Sequence, residues 1–329
     1  MEVQHQDLSF KDGARVLFLG DSITANGLFM AKIFDFYRKK LPERKVKLYN
    51  FGVPGDSAGG CVRMHRHELL LELNPTEVVL MFGMNDIGRH YYDDTRRNDP
   101  EQQKNAQAAK EKHTQYMKEI VSFLREHDLP VTLCSVTPYD EISDAPSANL
   151  LGCHQALTDI FEADKEALLP LGLKGTVDFG KPMNDLLFKL KEHALSSFIG
   201  PDRVHPTELG HDLMARIFLH AQGLLPALPT VDDIANGNAA MPPLSDKNKA
   251  RKEAEALWRS VSYFDFNLHW GQEEMTSEER IAYWIERRKS MTPADGYPYT
   301  VAQYYPERKA HEKEYFDLML KLTDEMYTQ

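Results

Sequence analysis

A chain of 329 residues, 42% hydrophobic and 27% charged, can bury the core of one large domain or two of ordinary size. Its formal net charge of -11 repels phosphate backbones and anionic membranes, which argues against nucleic acid as the main partner. No run approaches the roughly 18 apolar residues of a membrane helix, so no membrane insertion is expected; Met1–Asp7 has neither the positive start nor the apolar core of a secretory signal, so a cytoplasmic location is favoured.

In Arg15–Ser22, four consecutive apolar residues between a charged entry and the exit at Gly20 read as a short buried strand, and the run stops at Asp21 and Ser22. Ser22 then lies at the carboxyl end of a strand, where open α/β sheets bind ligands, and is a candidate nucleophile. The same letters before Ile23-Thr24-Ala25 suit a helix N-cap equally well. Apolar positions Phe29, Ile33, Phe36 and Tyr37 predict a helix to Lys40, and Lys45–Phe51 alternates as a second strand. A glycine-rich loop, Gly52–Gly60, follows, then helical spacing from Arg63 to Leu73.

Glu77–Phe82 is a third strand, running into Gly83-Met84-Asn85-Asp86. Pro100–His127 predicts a long helix, Pro130–Val136 a fourth strand, and Leu150–Leu169 a further helix. Thr176–Phe179 and Met183–Leu195 predict a fifth strand and its helix, so the fold class is α/β with a parallel, doubly wound sheet. Phe198–Pro206 is irregular and precedes a helix marked by Leu209, Leu213, Ile217 and Phe218. Beyond Pro226 a linker-like stretch leads into three helical patterns near 247–263, 277–289 and 306–326, which divides the chain at 1–228 and 229–329. The apolar stripe of Tyr315, Leu318, Leu322 and Met326 predicts burial on the core or on a second copy, hence a homo-oligomer assembled through the C-terminal helices.

The three cysteines, Cys61, Cys134 and Cys153, lack C-x-x-C spacing and suggest buried thiols rather than disulfides or a zinc knuckle. Ester chemistry by a serine needs a base, an acid to orient that base, and oxyanion donors. His205 offers the base, Asp202 three residues earlier the acid, and Asn85, Gly55 and the Ser22 N–H the donors. Ser57, in a second Gly-Asp-Ser, is a weaker nucleophile candidate because no apolar run precedes it. His211 reads as a surface or packed residue, while Asn85 and Asp202 could each shape a turn.

Gly20-Asp21-Ser22, the Asn50–Asp56 loop, Gly83-x-Asn85-Asp86 and Asp202-x-x-His205-Pro206 resemble, in order, the four sequence blocks of the SGNH hydrolases, the GDSL esterases and lipases. The resemblance spans about residues 13–221 and implies a three-layer α/β/α sandwich with a flavodoxin-like sheet, followed here by a helical C-terminal extension. It implies Ser22, Asp202 and His205 as catalytic residues and Ser22, Gly55 and Asn85 as the oxyanion hole, with no metal or organic cofactor. Between Gly52 and Gly55, the latter is chosen because it directly precedes the acid. The substrate expected is a short-acyl, acetyl ester of a carbohydrate or small molecule, with Arg89–Tyr92, Arg96 and Arg97 as a rim suited to sugars or simply a solvated loop. Lysophospholipase, thioesterase and acyltransferase activities are alternatives within the family. A non-catalytic scaffold assembled through the tail is the alternative of another class, and it demands none of the Ser, Gly, Asn, Asp and His combination.

Overall fold

The computed structural model describes residues 7–63, 66–226, 228–249, 251, 252 and 321. Among them, β1 (Arg15–Gly20), β2 (Lys47–Gly52), β3 (Glu77–Met81), β4 (Val131–Cys134) and β5 (Gly175–Val177) form one parallel sheet in the order β2-β1-β3-β4-β5. That is the flavodoxin-like order, with its reversal beside β1, where the loops after β1 and β3 diverge to opposite sides and leave a crevice.

β1 shows why the sheet is covered on both faces. Val16 and Phe18 join the core beneath α2 (Leu28–Lys40) and α8 (Glu208–Ala221), while Leu17 and Leu19 join the core beneath α5 (Pro100–Glu126). Each of these four side chains is essentially inaccessible, which stabilises the fold by roughly 1.5–3 kcal/mol per large apolar residue. Phe18 meets Phe29 of α2 at 5.7 Å and Phe218 of α8 at 5.9 Å between ring centroids. On the other face the α5 stripe Met117, Ile120, Val121 and Leu124 is fully buried. α6 (Cys153–Leu168) and α7 (Gly180–Glu192) complete the layers after β4 and β5.

Local differences from the sequence reading have simple causes. The glycine-rich loop is shorter than expected, because Gly52 ends β2 and α3 (Ala58–Arg63) begins within it. Ser57 starts that helix by accepting the Gly60 N–H at 3.0 Å, a capping bond that propensity alone would not weigh against two adjacent glycines. The expected helix over 63–73 is instead the end of α3, a single turn α4 (Arg66–Leu69) and a 3-10 turn at Leu70–Leu73. In the linker-like stretch, Thr230 and Asp233 form a reciprocal capping box that starts α9 (Val231–Ala235).

The segment after α9 is laid along α2. Met241 N–H donates to Asp212 at 2.9 Å, and Asp212 pairs with the buried Lys32 at 3.0 Å. Further on, Ser245 bonds to Asp35, Asn248 to the Ala31 carbonyl, and Arg251 to the Leu48 carbonyl at 3.0 Å. Residues 246–249, 251 and 252 are helical, where the pattern near 247–263 begins. The other two C-terminal helical patterns and the stripe from Tyr315 to Met326 lie outside the described residues, apart from helical Lys321. No helix among the described residues is long and apolar enough to cross a membrane. Cys61, Cys134 and Cys153 are free and buried.

Candidate active site

β1 delivers Ser22 to the carboxyl edge of the sheet. Asp21 occupies the N-cap of α1 (Ser22–Asn26), its Oδ1 accepting the Ile23 N–H at 2.9 Å, so the capping role goes to the acid and the serine hydroxyl is left to face outward. Asp21 is fully buried, and that burial lifts its carboxyl to about 7, against the opposing Ile23 N–H bond.

The loop before α8 delivers the imidazole. An antiparallel bridge between Ile199 and Pro206 pinches its ends together, Gly200 N–H donates to the His205 carbonyl at 2.7 Å, and Thr207 caps α8. Asp202 Oδ1 accepts the Val204 and His205 N–H groups, both at 3.0 Å, which is a turn-forming role. Its Oδ2 lies 2.5 Å from His205 Nδ1. Turn and acid are therefore one residue, with a separate oxygen for each task. Partial burial would raise the Asp202 carboxyl, but the hydrogen bonds from His205 and the backbone outweigh it and hold the group below the usual carboxylate range.

His205 Nε2 in turn stands 2.8 Å from Ser22 Oγ. With Nδ1–H donated to Asp202, Nε2 carries the lone pair and the hydroxyl donates to it. Residues 183 positions apart thus form one hydrogen-bonded chain, from acid to imidazole to hydroxyl. It opens into a cleft of about 370 Å³ lined by Ser22, Ile23, Ala25, Asn26, Pro54, His205, His211 and Lys252.

The loops after β2 and β3 hold the remaining candidates. Gly55 sits at φ +80°, the left-handed region that favours glycine, in the turn beside Pro54. Gly52 differs: a Cβ there would come within 2.2 Å of the Ala25 nitrogen, so its missing side chain lets α1 pack on the end of β2. Asn85 Nδ2 donates one hydrogen to the Asp56 carbonyl at 2.8 Å, which fixes the amide and leaves its second N–H for another acceptor. Neighbouring Asp86 accepts the Ala58 N–H at 2.9 Å and lies 3.2 Å from Nδ1 of the fully buried His113. His113 Nε2 meets Asp164 at 2.8 Å, and Thr114 bonds the other Asp164 oxygen. Burial opposes a charge on His113, yet the two carboxylates outweigh it and raise the imidazole to about 10. Burial likewise lifts Asp56 to about 6, opposed by Arg66 at 3.6 Å.

Sequence reasoning did not single out His113, Asp164 or Lys252. His113 was detectable, since it stands four residues before Met117 and seven before Ile120 on the buried stripe of α5. Lys252 reaches the cleft only through the packing of the segment after α9, which has no local signal. His211 is packed, parallel to the Phe29 ring, and borders the cleft; burial foremost, with the nearby charges of Lys252 and His205, lowers it to about 3. Of the expected rim, Arg96 and Arg97 pair with Asp93 and Asp94, as a solvated loop does. Asp178 accepts the Ser135 hydroxyl at 2.8 Å. Among the described residues no group of three or more His, Cys, Asp or Glu side chains is arranged to hold a metal.

Comparison with known proteins agrees with this architecture. The profile of the GDSL-like Lipase/Acylhydrolase family matches residues 18–213. An acetylxylan esterase of Geobacillus stearothermophilus is 24% identical over 233 residues, covering 64% of this chain and 94% of that protein. The solved structure of the acetylxylan esterase Axe2 from the same organism superposes with a TM-score of 0.52 at 19% identity, over 68% of this chain and 99% of that one. A gut microbial diltiazem-metabolizing enzyme superposes with a TM-score of 0.72 at 18% identity, over 98% and 97% of the two chains. The family match spans more than half of the sequence and contains the strand ends that carry Ser22, Gly55 and Asn85 and the loop before α8 that carries Asp202 and His205. The chain therefore belongs to the GDSL-like lipase/acylhydrolase family and is a hydrolase of carboxylic esters.

Proposed function

We propose that this protein removes a short acyl group, an acetyl, from an ester of a carbohydrate or another small alcohol, with Ser22, His205 and Asp202 as the catalytic triad. The observation that carries this reading is the unbroken contact from Asp202 through His205 to Ser22 at the mouth of a small cleft. Ser22 Oγ attacks the carbonyl carbon as its proton passes to His205 Nε2, while Asp202 holds the imidazolium in place. The oxyanion rests on the Ser22 and Gly55 N–H groups and the uncommitted N–H of Asn85. His205 returns the proton to the departing alcohol. Water, deprotonated by His205, then attacks the acyl-serine, and the serine leaves with that proton. Each step is proton-neutral and draws on no cofactor.

The acyl preference is supported by the kinship with an acetylxylan esterase. Hydrolysis of nitrophenyl esters from acetyl to decanoyl tests it, together with release of acetate from acetylated xylose. Rates that fall with chain length support the reading, whereas rates that rise overturn it in favour of a lysophospholipase or thioesterase. A competing alcohol that captures most of the acyl group would make the protein an acyltransferase instead. Fluorophosphonate labelling should occur on Ser22 and disappear in Ser22→Ala; a label on Ser57 would reassign the nucleophile.

A further inference from the structure

Of the two residues between the acid and the base of the proposed triad, Arg203 and Val204, the first has an unusual position. Arg203 is a buried arginine whose backbone lies at φ +66°, a conformation that residues with a Cβ adopt only at a cost. Its guanidinium grips the loop after β4 through main-chain oxygens: Nε donates to Ser147 at 2.8 Å, Nη1 to Asp140 and Ser143 at 2.8 and 3.0 Å, and Nη2 to Ala145 at 2.7 Å. The grip is reciprocal, because the Asp140 N–H donates to the Arg203 carbonyl at 2.9 Å. That loop is stiff in its own right. Asp140 Oδ1 accepts the Ile142 and Ser143 N–H groups, and its Oδ2 accepts the Ser197 hydroxyl at 2.7 Å, while the same hydroxyl accepts the Ile199 N–H.

We propose that Arg203 is a positioning residue that fixes the Asp202–His205 turn to the loop after β4 and so sets the reach of His205 to Ser22. This rests on the triad reading. Asp202 and His205 are each about half exposed, at 50% and 48% of their side chains, so packing around them does not hold their geometry. The rigid, planar fork of the buried guanidinium does, by filling several carbonyls at once, which a lysine ammonium on its flexible stem does not reproduce. The strained backbone is then the geometry that aims the side chain away from solvent and into that loop.

Arg203→Gly tests this cleanly, because glycine keeps the left-handed backbone without strain while removing the fork. With nitrophenyl acetate the full-length variant should lose about 10- to 100-fold in kcat with KM held within about twofold, since misplacing a catalytic pair by an ångström costs that much while substrate binding is untouched. Added methylguanidinium should restore part of kcat. A variant with a lower melting temperature but the kcat of the parent, or one changed only in KM, would reduce Arg203 to a structural residue and overturn the proposal. Should Arg203→Gly fail to fold, Ser197→Ala loosens the same loop mildly; a measurable fall in kcat supports the proposal and an unchanged kcat overturns it. Asp202→Asn separates the two levels. If it leaves kcat intact the triad reading itself fails, whereas a loss there with none in Arg203→Gly removes only the positioning role.

Discussion

The two halves of the site are built on opposite physical plans. The turn 199–206, which carries Asp202 and His205, is local and half exposed: Asp202 bonds within its own turn and reaches His205 three residues away. The side that carries Asn85 is long-range: Asn85, itself only partly buried, is held by Asp56, and behind it Asp86 faces the buried His113, which in turn faces Asp164 on another helix. The half that carries Asp202 and His205 keeps contact with solvent and is tied by backbone bonds, with Arg203 bridging it to the loop after β4. The cluster of Asp86, His113 and Asp164 behind Asn85 sits in low dielectric, where every charge must be matched.

That contrast can be broken or sharpened by measurement. The largest effect is expected at the junction: Ser22→Ala should lower kcat for nitrophenyl acetate by about 10⁶-fold, as removal of an attacking hydroxyl does in serine hydrolases. Retention of more than a hundredth of the activity would move the chemistry elsewhere. On the buried side, His113→Gln leaves Asp86 and Asp164 without their cation and should cost about 3–5 kcal/mol in urea unfolding. Loss of less than about 1 kcal/mol would show that these carboxylates are already relaxed by solvent. Asn85→Ala should lower kcat by about 10²- to 10³-fold, roughly 2.7–4 kcal/mol, with little change in KM. An unchanged kcat would remove Asn85 from the oxyanion hole.

The pH dependence of stability separates the halves further. His113 has its folded-state pKa raised from an ordinary 6.5 to about 10, so its contribution is complete below 6.5 and is lost as pH rises through about 10. Unfolding free energy should therefore decline across that alkaline window in the parent, and the decline should flatten in His113→Gln; identical slopes would contradict the charged state of His113. The smallest effect belongs to Ser57→Ala, which removes the cap of α3 and should cost about 1 kcal/mol while leaving turnover intact. A collapse of activity there would exchange the roles of the two Gly-Asp-Ser serines.

Legibility followed the same division. β1 was readable because four consecutive apolar residues must be buried on both faces, and its end just before Ser22 followed from Gly20 and Asp21. The pair Asp202 and His205 was readable because one short turn presents both. In the sequence Gly55 was preferred to Gly52 only because it directly precedes Asp56; φ +80° at the first and the close approach of α1 at the second show how the two differ physically. The linker-like stretch hid α9 because its prolines and glycines flank a helix of only five residues.

The sequence by itself determined the parallel α/β class, the strand ends that bear chemistry and the residue types placed there, because hydrophobic periodicity and turn chemistry act over a few residues. Only the tertiary structure decided that Ser22 and His205 meet at 2.8 Å, that His113 lies between Asp86 and Asp164, that Arg203 reaches the loop after β4, and that Lys252 borders the cleft. Those outcomes depend on which distant segments share a low-dielectric space and on where the backbone directs each side chain, and neither is encoded in the spacing of any one segment.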